Sequence, residues 1–279
     1  MVKYMEIINF IYAFFYGIIE GITEWLPISS TGHLIILERY LKFTGVSETF
    51  FEMFLVVIQL GAIIAVIVTF FNKLNPFKKE EKDRKEIFHK WKLIILGCLP
   101  AAVFGFFLDD FMDQYLYNDL VVSICLIFYG IVFIVVEHLI KRKKFKYQEV
   151  TSFSLKIALI IGFGQVLSLI PGTSRSGITI LSALLIGCNR ESSLEYSFYL
   201  SIPIMIGASG LKIVKYFLNG NIFTLNEFMI ILTGMISAFA ISLLVVNYLM
   251  NFIKKHSFVS FGYYRIALGI IVLLVSFVL

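Results

Sequence analysis

The chain has 279 residues, of which 59% are hydrophobic and only 15% are charged, and its net charge is +5. Soluble domains are about 45–50% apolar and about 25% charged, so this composition excludes an ordinary soluble protein. The basic residues lie in short segments between apolar blocks, which indicates orientation in a membrane and not binding to nucleic acid. Cys98, Cys125 and Cys188 have unrelated spacings and form neither a metal-binding nor a disulfide pattern.

Several apolar blocks are long enough for membrane-spanning helices. A bilayer core of about 30 Å requires about 20 apolar residues. None of the blocks shows the alternation of a barrel strand, so we expect helices. Five blocks contain no Asp, Glu, Lys or Arg: 53–71, 93–108, 120–136, 196–211 and 228–250. A last block, 258–279, contains only Arg265, which we expect near the cytoplasmic end of this span or facing the protein interior.

The charges between the blocks predict how the chain is oriented. Segments 73–92 and 141–146 are rich in Lys and Arg, whereas 109–119 carries Asp residues and no base. The positive-inside rule places the two basic segments in the cytoplasm and the acidic segment outside. Lys254 and Lys255 predict a third cytoplasmic loop.

Two further apolar regions, 5–45 and 153–190, are interrupted by polar residues, Pro and Gly. Freed backbone groups in a membrane must face protein or a water-filled cavity, so we expect two re-entrant helix–loop–helix hairpins. Pro27 and Pro171 begin similar segments, 144 positions apart. Each hairpin precedes three spans, which is an odd number of crossings, so the second copy is inverted.

We therefore predict an all-α polytopic membrane protein with about six transmembrane helices and two re-entrant hairpins in an inverted-topology repeat. It forms a single membrane domain, in which 1–145 is the first repeat and 146–279 is the second, inverted repeat. The first hairpin opens to the outside and the second to the cytoplasm.

The first hairpin contains two carboxylates one helical turn apart, Glu20 and Glu24. Ionisable residues inside a membrane usually mark a functional site. Two adjacent carboxylates repel unless one is protonated or a cation lies between them, and oxygen ligands suit Mg²⁺ or Ca²⁺. The alternative is a pair that extends to the membrane interface from a helix end.

The same hairpin continues with Ser29, Ser30 and Thr31, and His33 follows. One hydroxyl residue before a helix is an ordinary N-cap, but three with a histidine exceed that need. A helix N-terminus also binds phosphate through its free N–H groups. Ser30 and His33 are three residues apart, so they share a helical face.

The second hairpin carries Arg175, the only charge between Lys156 and Arg190. A buried guanidinium requires an anion, which is Glu20, Glu24 or a ligand phosphate. An internal Arg–Glu pair without any ligand is the simpler alternative. Neighbouring hydroxyl residues add hydrogen-bond donors and glycines permit close backbone approach, namely Ser174, Ser176, Thr179, Gly172 and Gly177.

These segments resemble the undecaprenyl-diphosphate phosphatase (bacitracin-resistance) family of bacteria. The family's acidic motif matches 20–24, its Ser-Ser-Thr-Gly-His segment matches 29–33, and its Pro-Gly-x-Ser-Arg-Ser-x-x-Thr motif matches 171–179. The resemblance implies hydrolysis of undecaprenyl diphosphate to undecaprenyl phosphate and inorganic phosphate, which recycles the cell-wall lipid carrier and confers bacitracin tolerance. It also implies the bacterial cytoplasmic (inner) membrane, an active site on the extracytoplasmic side, and a divalent cation.

By motif position, the resemblance assigns Glu20 and Glu24 to metal binding or proton transfer. Ser30 and His33 supply the nucleophile and its activation, with attack by Ser30 favoured over attack by His33 or by water. Arg175 clamps the diphosphate together with Ser174 and Thr179. Further substrate contacts are expected from the remaining polar or flexible motif residues: Ser29, Thr31, Gly172 and Ser176.

A transporter is the main alternative, because inverted repeats with broken helices around a central anion site also occur in transporters. A flippase for polyprenyl phosphate would use Arg175 and the helix N-termini without requiring His33 or the carboxylate pair. The expected partners are the polyprenyl diphosphate lipid and membrane lipid, not nucleic acid. The sequence leaves a homodimer open.

Overall fold

The structure, a computed structural model, describes residues 2–78 and 80–278, with the side chains of 2–6, 109, 113 and 278 excepted. Lys79 of the first basic segment therefore lies outside the described residues, as do the side chains of Asp109 and Asp113 in the acidic segment. The described chain is helical, and its only strand-like pairing is an isolated bridge between Tyr147 and Cys188.

Twelve α-helices follow one another in the described residues. In chain order they are α1 Val2–Thr23, α2 Ser30–Tyr40, α3 Glu48–Val57, α4 Gln59–Thr69, α5 Phe71–Leu74, α6 Glu81–Tyr115, α7 Asp119–Ile140, α8 Leu155–Val166, α9 Arg175–Ile186, α10 Arg190–Leu218, α11 Leu225–Ile253 and α12 Val259–Val278. Short 3-10 turns occupy Val150–Ser152 and Leu167–Leu169.

Six of these segments are long and apolar enough to cross a membrane, which confirms the predicted all-α polytopic class. They are Glu48–Thr69, Glu81–Leu108, Asp119–Ile140, Arg190–Leu218, Leu225–Ile253 and Val259–Phe277. Every apolar block singled out in the sequence coincides with one of them. The shorter pairs α1–α2 and α8–α9 form the two hairpins, so each half of the chain contains one hairpin followed by three spans.

The two hairpins enter the helix bundle from opposite ends. At the end of α2, Arg39 forms an ion pair with Asp119, the first residue of α7. After the end of α9, the carbonyl of Gly187 accepts a hydrogen bond from the backbone N–H of Lys146, which follows α7. Because α7 crosses the bundle between these two contacts, the hairpins open on opposite faces and their tips point toward each other.

The helices of the two halves interlock. The first arm of the first hairpin, α1, packs against α11, the second span of the other half. In the same way α8 of the second hairpin packs against α6, and the third spans, α7 and α12, pack against each other. Each hairpin is therefore held mainly by helices of the opposite half.

Glycines permit the closest of these helix contacts. A Cβ atom on Gly17 of α1 would lie 2.2 Å from the carbonyl oxygen of Gly234, and one on Gly162 of α8 would lie 2.4 Å from that of Gly97. Small residues allow membrane helices to approach in this way. These equivalent glycines are 145 positions apart, whereas the prolines used to align the halves are 144 apart. The second hairpin has one fewer residue between its packing glycine and its proline.

Glu137 fixes the end of α7 relative to the second half of the chain. Its carboxylate accepts hydrogen bonds from the Nε (2.9 Å) and Nη2 (2.5 Å) of Arg190 at the start of α10. It also accepts one from the backbone N–H of Phe258, directly before α12. A single buried carboxylate thus joins α7, α10 and α12, and this arrangement fixes where α12 begins.

Candidate active site

The tips of the two hairpins share an unusual backbone conformation. Ser29, directly before α2, has φ 71° and ψ 103°, and Ser174, directly before α9, has φ 72° and ψ 116°. They are the only non-glycine residues with positive φ in 2–78 and 80–278. Such strained residues concentrate at functional sites. Both tips therefore present the N-terminus of a helix, with unpaired backbone N–H groups, toward the middle of the bundle.

Direct hydrogen bonds join the two tips. Arg175 Nη2 donates to Glu24 Oε1 at 3.0 Å, and Nη1 donates to the carbonyl of Ser197 at 2.8 Å. The hydroxyl of Ser176 is within hydrogen-bond distance of the carbonyls of Glu24 and Leu26. The side chains of Arg175 and Glu24 are each only 10% exposed. Of the anions considered for Arg175, Glu24 is the one that pairs with it in the structure.

The second oxygen of the same carboxylate holds Ser30, whose hydroxyl donates to Glu24 Oε2 at 3.0 Å. Glu20, one turn earlier on α1, is completely buried, and neither of its oxygens has a hydrogen-bond partner among the described residues. The Nε atoms of Arg175 and of the neighbouring Trp25 also lack partners. Buried polar groups are normally satisfied, so these unpaired atoms indicate a place where a ligand or an ion binds.

His33 lies on the first turn of α2 and has a partner at each ring nitrogen. Its Nδ1 is 2.8 Å from the carbonyl oxygen of Ser29, and its Nε2 is 2.8 Å from the hydroxyl of Tyr264 on α12. A carbonyl only accepts hydrogen bonds, so Nδ1 carries the hydrogen and Nε2 accepts from Tyr264. Ser30 and His33 share the start of α2, but Ser30 is bonded to Glu24 and not to His33.

Arg265, the charge in the last apolar block, faces the protein interior. Its guanidinium is completely buried, with Nη1 donating to the carbonyl of Pro27 at 3.1 Å. Nη2 donates to the carbonyls of Gly172 and Thr173 at 2.9 and 3.0 Å. One side chain of α12 therefore holds the backbone of both hairpin tips. No carboxylate of the described residues pairs with it.

Two of the predicted substrate-binding hydroxyls form hydrogen bonds within the protein. Ser174 caps α9 by accepting from the backbone N–H of Gly177 at 3.1 Å. Thr179 is buried, and its hydroxyl is 2.7 Å from that of Ser197 and 2.9 Å from the carbonyl of Arg175. In this arrangement the two hydroxyls shape the second tip, and direct contact with a ligand stays a prediction for both.

The remaining predicted residues lie at the tips in different environments. The hydroxyl of Ser29 is buried without a partner, whereas Thr31 is partly exposed on the first turn of α2. Gly172 has φ 88°, and a Cβ atom there would lie 2.6 Å from the carbonyl oxygen of Val122 on α7. Only glycine allows the second tip to approach α7 this closely.

Two residues near the tips were not identified from the sequence. Tyr264 gave no signal because it is one of 14 tyrosines in an aromatic-rich chain. Gln165 is completely buried on α8, its amide has no partner among the described residues, and it stands 145 positions after Glu20. An alignment of the two halves based on the packing glycines, instead of the prolines, would have matched Gln165 with Glu20.

Comparison with known protein families matches residues 13–271 to the family described as bacitracin resistance protein BacA. The chain belongs to the BacA family. Among curated BacA relatives, the undecaprenyl-diphosphatase of Enterococcus faecalis is 52% identical over 92% of this chain and 94% of its own length. That of Acetivibrio thermocellus is 51% identical over 96% and 97%, and that of Streptococcus thermophilus is 50% identical over 96% and 93%. The resemblance recognised from the motifs is confirmed.

Proposed function

We propose that this BacA-family chain is an undecaprenyl-diphosphate phosphatase, which hydrolyses undecaprenyl diphosphate to undecaprenyl phosphate and inorganic phosphate. This reaction regenerates the lipid carrier of cell-wall precursors and confers tolerance to bacitracin. The relatives at about 50% identity are all named as undecaprenyl-diphosphatases over nearly their full length. These names support hydrolysis, and they give no support to the alternative of a flippase.

The meeting of the two hairpin tips is the observation that carries the proposal. A diphosphate has two adjacent anionic groups, and the tips offer Arg175 together with the N-termini of α2 and α9 as donors. The same place contains a buried carboxylate, Glu20, without a partner. Phosphoryl transfer requires hydrogen-bond donors that stabilise the charge on the phosphate and carboxylates that hold a cation, and the hairpin tips contain both.

Ser30 is the proposed nucleophile. Its hydroxyl already donates to Glu24 Oε2 at 3.0 Å, so this carboxylate is positioned to take the proton as the oxygen attacks the terminal phosphorus. The bond from that phosphorus to the bridging oxygen breaks, and undecaprenyl phosphate leaves with the electron pair. In the second step water attacks the phosphoserine and gives a proton to His33, the phosphorus–oxygen bond to Ser30 breaks, Glu24 returns its proton to the Ser30 oxygen, and phosphate leaves.

His33 and Arg175 act on the charge that develops during this transfer. His33 lies on the same turn as Ser30. Its Nε2 is bonded to the hydroxyl of Tyr264 before the reaction, and it accepts a proton from the water that attacks the phosphoserine once this water replaces the hydroxyl at Nε2. Arg175 exchanges part of its bond with Glu24 for the phosphate oxygens, which a guanidinium binds through two parallel hydrogen bonds. Direct attack by His33 or by water is the alternative, and the Ser30–Glu24 hydrogen bond favours Ser30.

The residues also fit a divalent cation. The two oxygens of Glu20 are buried and have no partner among the described residues. Glu24 follows one helical turn later, and its oxygens are bonded to Arg175 and Ser30. Mg²⁺ is commonly held by one or two carboxylates together with substrate phosphates, and Ca²⁺ also takes oxygen ligands. Glu20 and Glu24 would therefore hold the ion, which when bound neutralises charge on the phosphate oxygens.

The charge distribution supports an active site on the extracytoplasmic side of the cytoplasmic membrane. The basic segment 141–146 follows α7 and would lie in the cytoplasm, so Asp119 at the other end of α7 would lie outside. Arg39 contacts Asp119, and so the first hairpin opens on that outer face. Its tip carries Ser30 and His33, which are reached from that side.

The test is release of phosphate from a polyprenyl diphosphate by the purified chain in detergent. We expect Arg175→Ala and His33→Ala each to lower kcat by about 10²-fold or more, as losses of transition-state donors and bases do. Arg142→Ala, an exposed residue of the second basic segment, is the control and should match wild type. A chelator should abolish activity, and Mg²⁺ or Ca²⁺ should restore it.

Wild-type rates in both site variants would contradict the assigned roles, and full activity in the chelator would contradict the metal site. If the wild-type chain released no phosphate but moved polyprenyl phosphate across vesicle membranes, the flippase alternative would replace the phosphatase.

A further inference from the structure

Tyr264 on α12 contacts the imidazole of His33 from the second half of the chain. Its hydroxyl is 2.8 Å from Nε2, and the two rings are nearly parallel, with an interplanar angle of 12° and centroids 5.6 Å apart. We propose that Tyr264 is a positioning residue that fixes the ring orientation of His33, whose tautomer is set by the carbonyl of Ser29. This inference rests on the proposed function, because it concerns the same catalytic histidine.

The hydrogen bonds define one tautomer of the ring. The carbonyl of Ser29 has no hydrogen to give, so Nδ1 of His33 must donate to it. In the neutral ring Nε2 then has a lone pair, and the hydroxyl of Tyr264 donates to it. Such outer partners determine which nitrogen of a histidine is available for chemistry. Here the carbonyl of Ser29 makes Nε2 the basic nitrogen, and the hydroxyl of Tyr264 holds this side of the ring in place until the attacking water replaces it at Nε2.

Neighbouring contacts hold Tyr264 itself in place. The next residue on α12, Arg265, is buried and bonded to the carbonyls of both hairpin tips. Close packing of α12 against α7 also holds the helix in place, because a Cβ atom on Gly262 would lie 2.8 Å from the carbonyl oxygen of Gly130 on α7. Positioning residues act well when they stand on rigid elements of this kind.

Tyr263 shows that the contact is specific to one of two adjacent tyrosines. Its side chain is 62% exposed, and its hydroxyl makes no hydrogen bond to any described residue. Tyr264 is 46% exposed and directs its hydroxyl to His33. An aromatic residue that only faced lipid would resemble Tyr263. The pair therefore supplies a matched control on the same helix.

The kinetic experiment compares Tyr264→Phe, Tyr263→Phe, His33→Ala and the double variant Tyr264→Phe/His33→Ala in detergent. We expect Tyr264→Phe to lower kcat by about tenfold, the lower end of the effect of losing an outer partner of a functional histidine. KM should change little, because the hydroxyl is not placed on the substrate. Tyr263→Phe should match wild type, and the double variant should be no slower than His33→Ala alone.

A second measurement reads the hydrogen bond at Nε2 of His33 without activity. Ring ¹⁵N spectra of histidine-labelled protein contain signals from four histidines, and His33→Ala identifies those of His33. Tyr264→Phe should shift the Nε2 signal of His33 and leave those of His89, His138 and His256 in place. Tyr263→Phe should shift none of them.

The inference is overturned if Tyr264→Phe retains wild-type kcat, if it causes the same further loss in the His33→Ala background, or if the Nε2 signal of His33 does not move. If wild-type protein released no phosphate, the proposed function would fail instead. The ¹⁵N spectra would still decide whether Tyr264 positions the ring.

Discussion

Two arginines illustrate how buried charge is handled at the level of single residues. Arg175 is paired with Glu24 across the two tips, and a phosphate is able to compete for this pair. Arg265 is bonded to carbonyl oxygens alone, so all of its partners belong to the backbone. A buried guanidinium with neutral partners keeps its positive charge available to anions nearby. In the proposed function the first arginine binds the phosphate, whereas the second holds the backbone of the two tips.

Replacing Arg265 tests this structural role. Arg265→Lys leaves one ammonium group where three carbonyls in two tips require donors, and each unpaired buried carbonyl costs about 1–3 kcal/mol. We expect a lower melting temperature in detergent and at least tenfold slower phosphate release. Arg142→Ala serves again as the exposed control. Wild-type melting and activity in Arg265→Lys would show that the tips hold their arrangement without it.

At the level of elements, the position of α1 depends on its contact with α11. A Cβ atom on Gly17 would lie 1.9 Å from the Oγ of Ser237 as well as 2.2 Å from a backbone oxygen, so even alanine forces the helices apart. Glu20 is three residues further along α1. A displacement of the helix at Gly17 therefore moves the carboxylate that we propose as a metal ligand.

Gly17→Ala should consequently destabilise the protein by about 1–3 kcal/mol, as overpacking does. It should also slow phosphate release. The matched control is Gly207→Ala on α10, where a Cβ atom meets nothing within 4 Å and where alanine favours the helix. Thermal unfolding of both variants in detergent provides the comparison. Equal melting temperatures for the two would mean that the α1–α11 contact is loose.

Both hairpins could be predicted from the sequence, because Pro, Gly and hydroxyl residues interrupt apolar runs that are otherwise continuous. The way the tips are held together could not. Arg265 bonds to carbonyls, which every residue has, so no sequence pattern identifies its partners. The contact of Tyr264 with His33 joins residues 231 positions apart in the chain. Such contacts depend on how the helices of the two halves interlock, which hydrophobicity does not encode.

At the level of the whole molecule, the two hairpins open on opposite faces of the bundle. We therefore expect their open ends to be accessible from opposite sides of the membrane. Single cysteines at Lys42, beyond α2, and at Lys144, beyond α7, would be introduced after replacing Cys98, Cys125 and Cys188 with alanine. An impermeant maleimide should label Lys42→Cys in intact cells and Lys144→Cys only after permeabilisation. Phosphate release by each variant checks that the fold is retained. The reverse labelling pattern would place the candidate active site on the cytoplasmic side.

The six spans were the most predictable part of the whole molecule, because lipid requires long apolar helices and the uncharged apolar blocks are clearly separated by charged segments. The residue-by-residue alignment of the two halves was harder to predict. Pro27 and Pro171 suggested an offset of 144, whereas Ser29 and Ser174, with their matching backbone angles, are 145 apart. The one-residue difference lies in the loops of the tips, where Ser29 follows Pro27 by two residues and Ser174 follows Pro171 by three.

The contact of Arg265 with both tips has a consequence for how the protein is made. Arg265 belongs to α12, which is synthesised after both hairpins, whereas the carboxylates of the first tip are synthesised early. Until α12 is inserted, only Arg175 and Ser176 of the second tip can bond to the first tip, and both Arg265 and the tyrosine beside His33 are missing. A nascent chain can therefore form the Arg175–Glu24 pair early, but it gains the arginine that holds the backbone of both tips only when α12 is inserted.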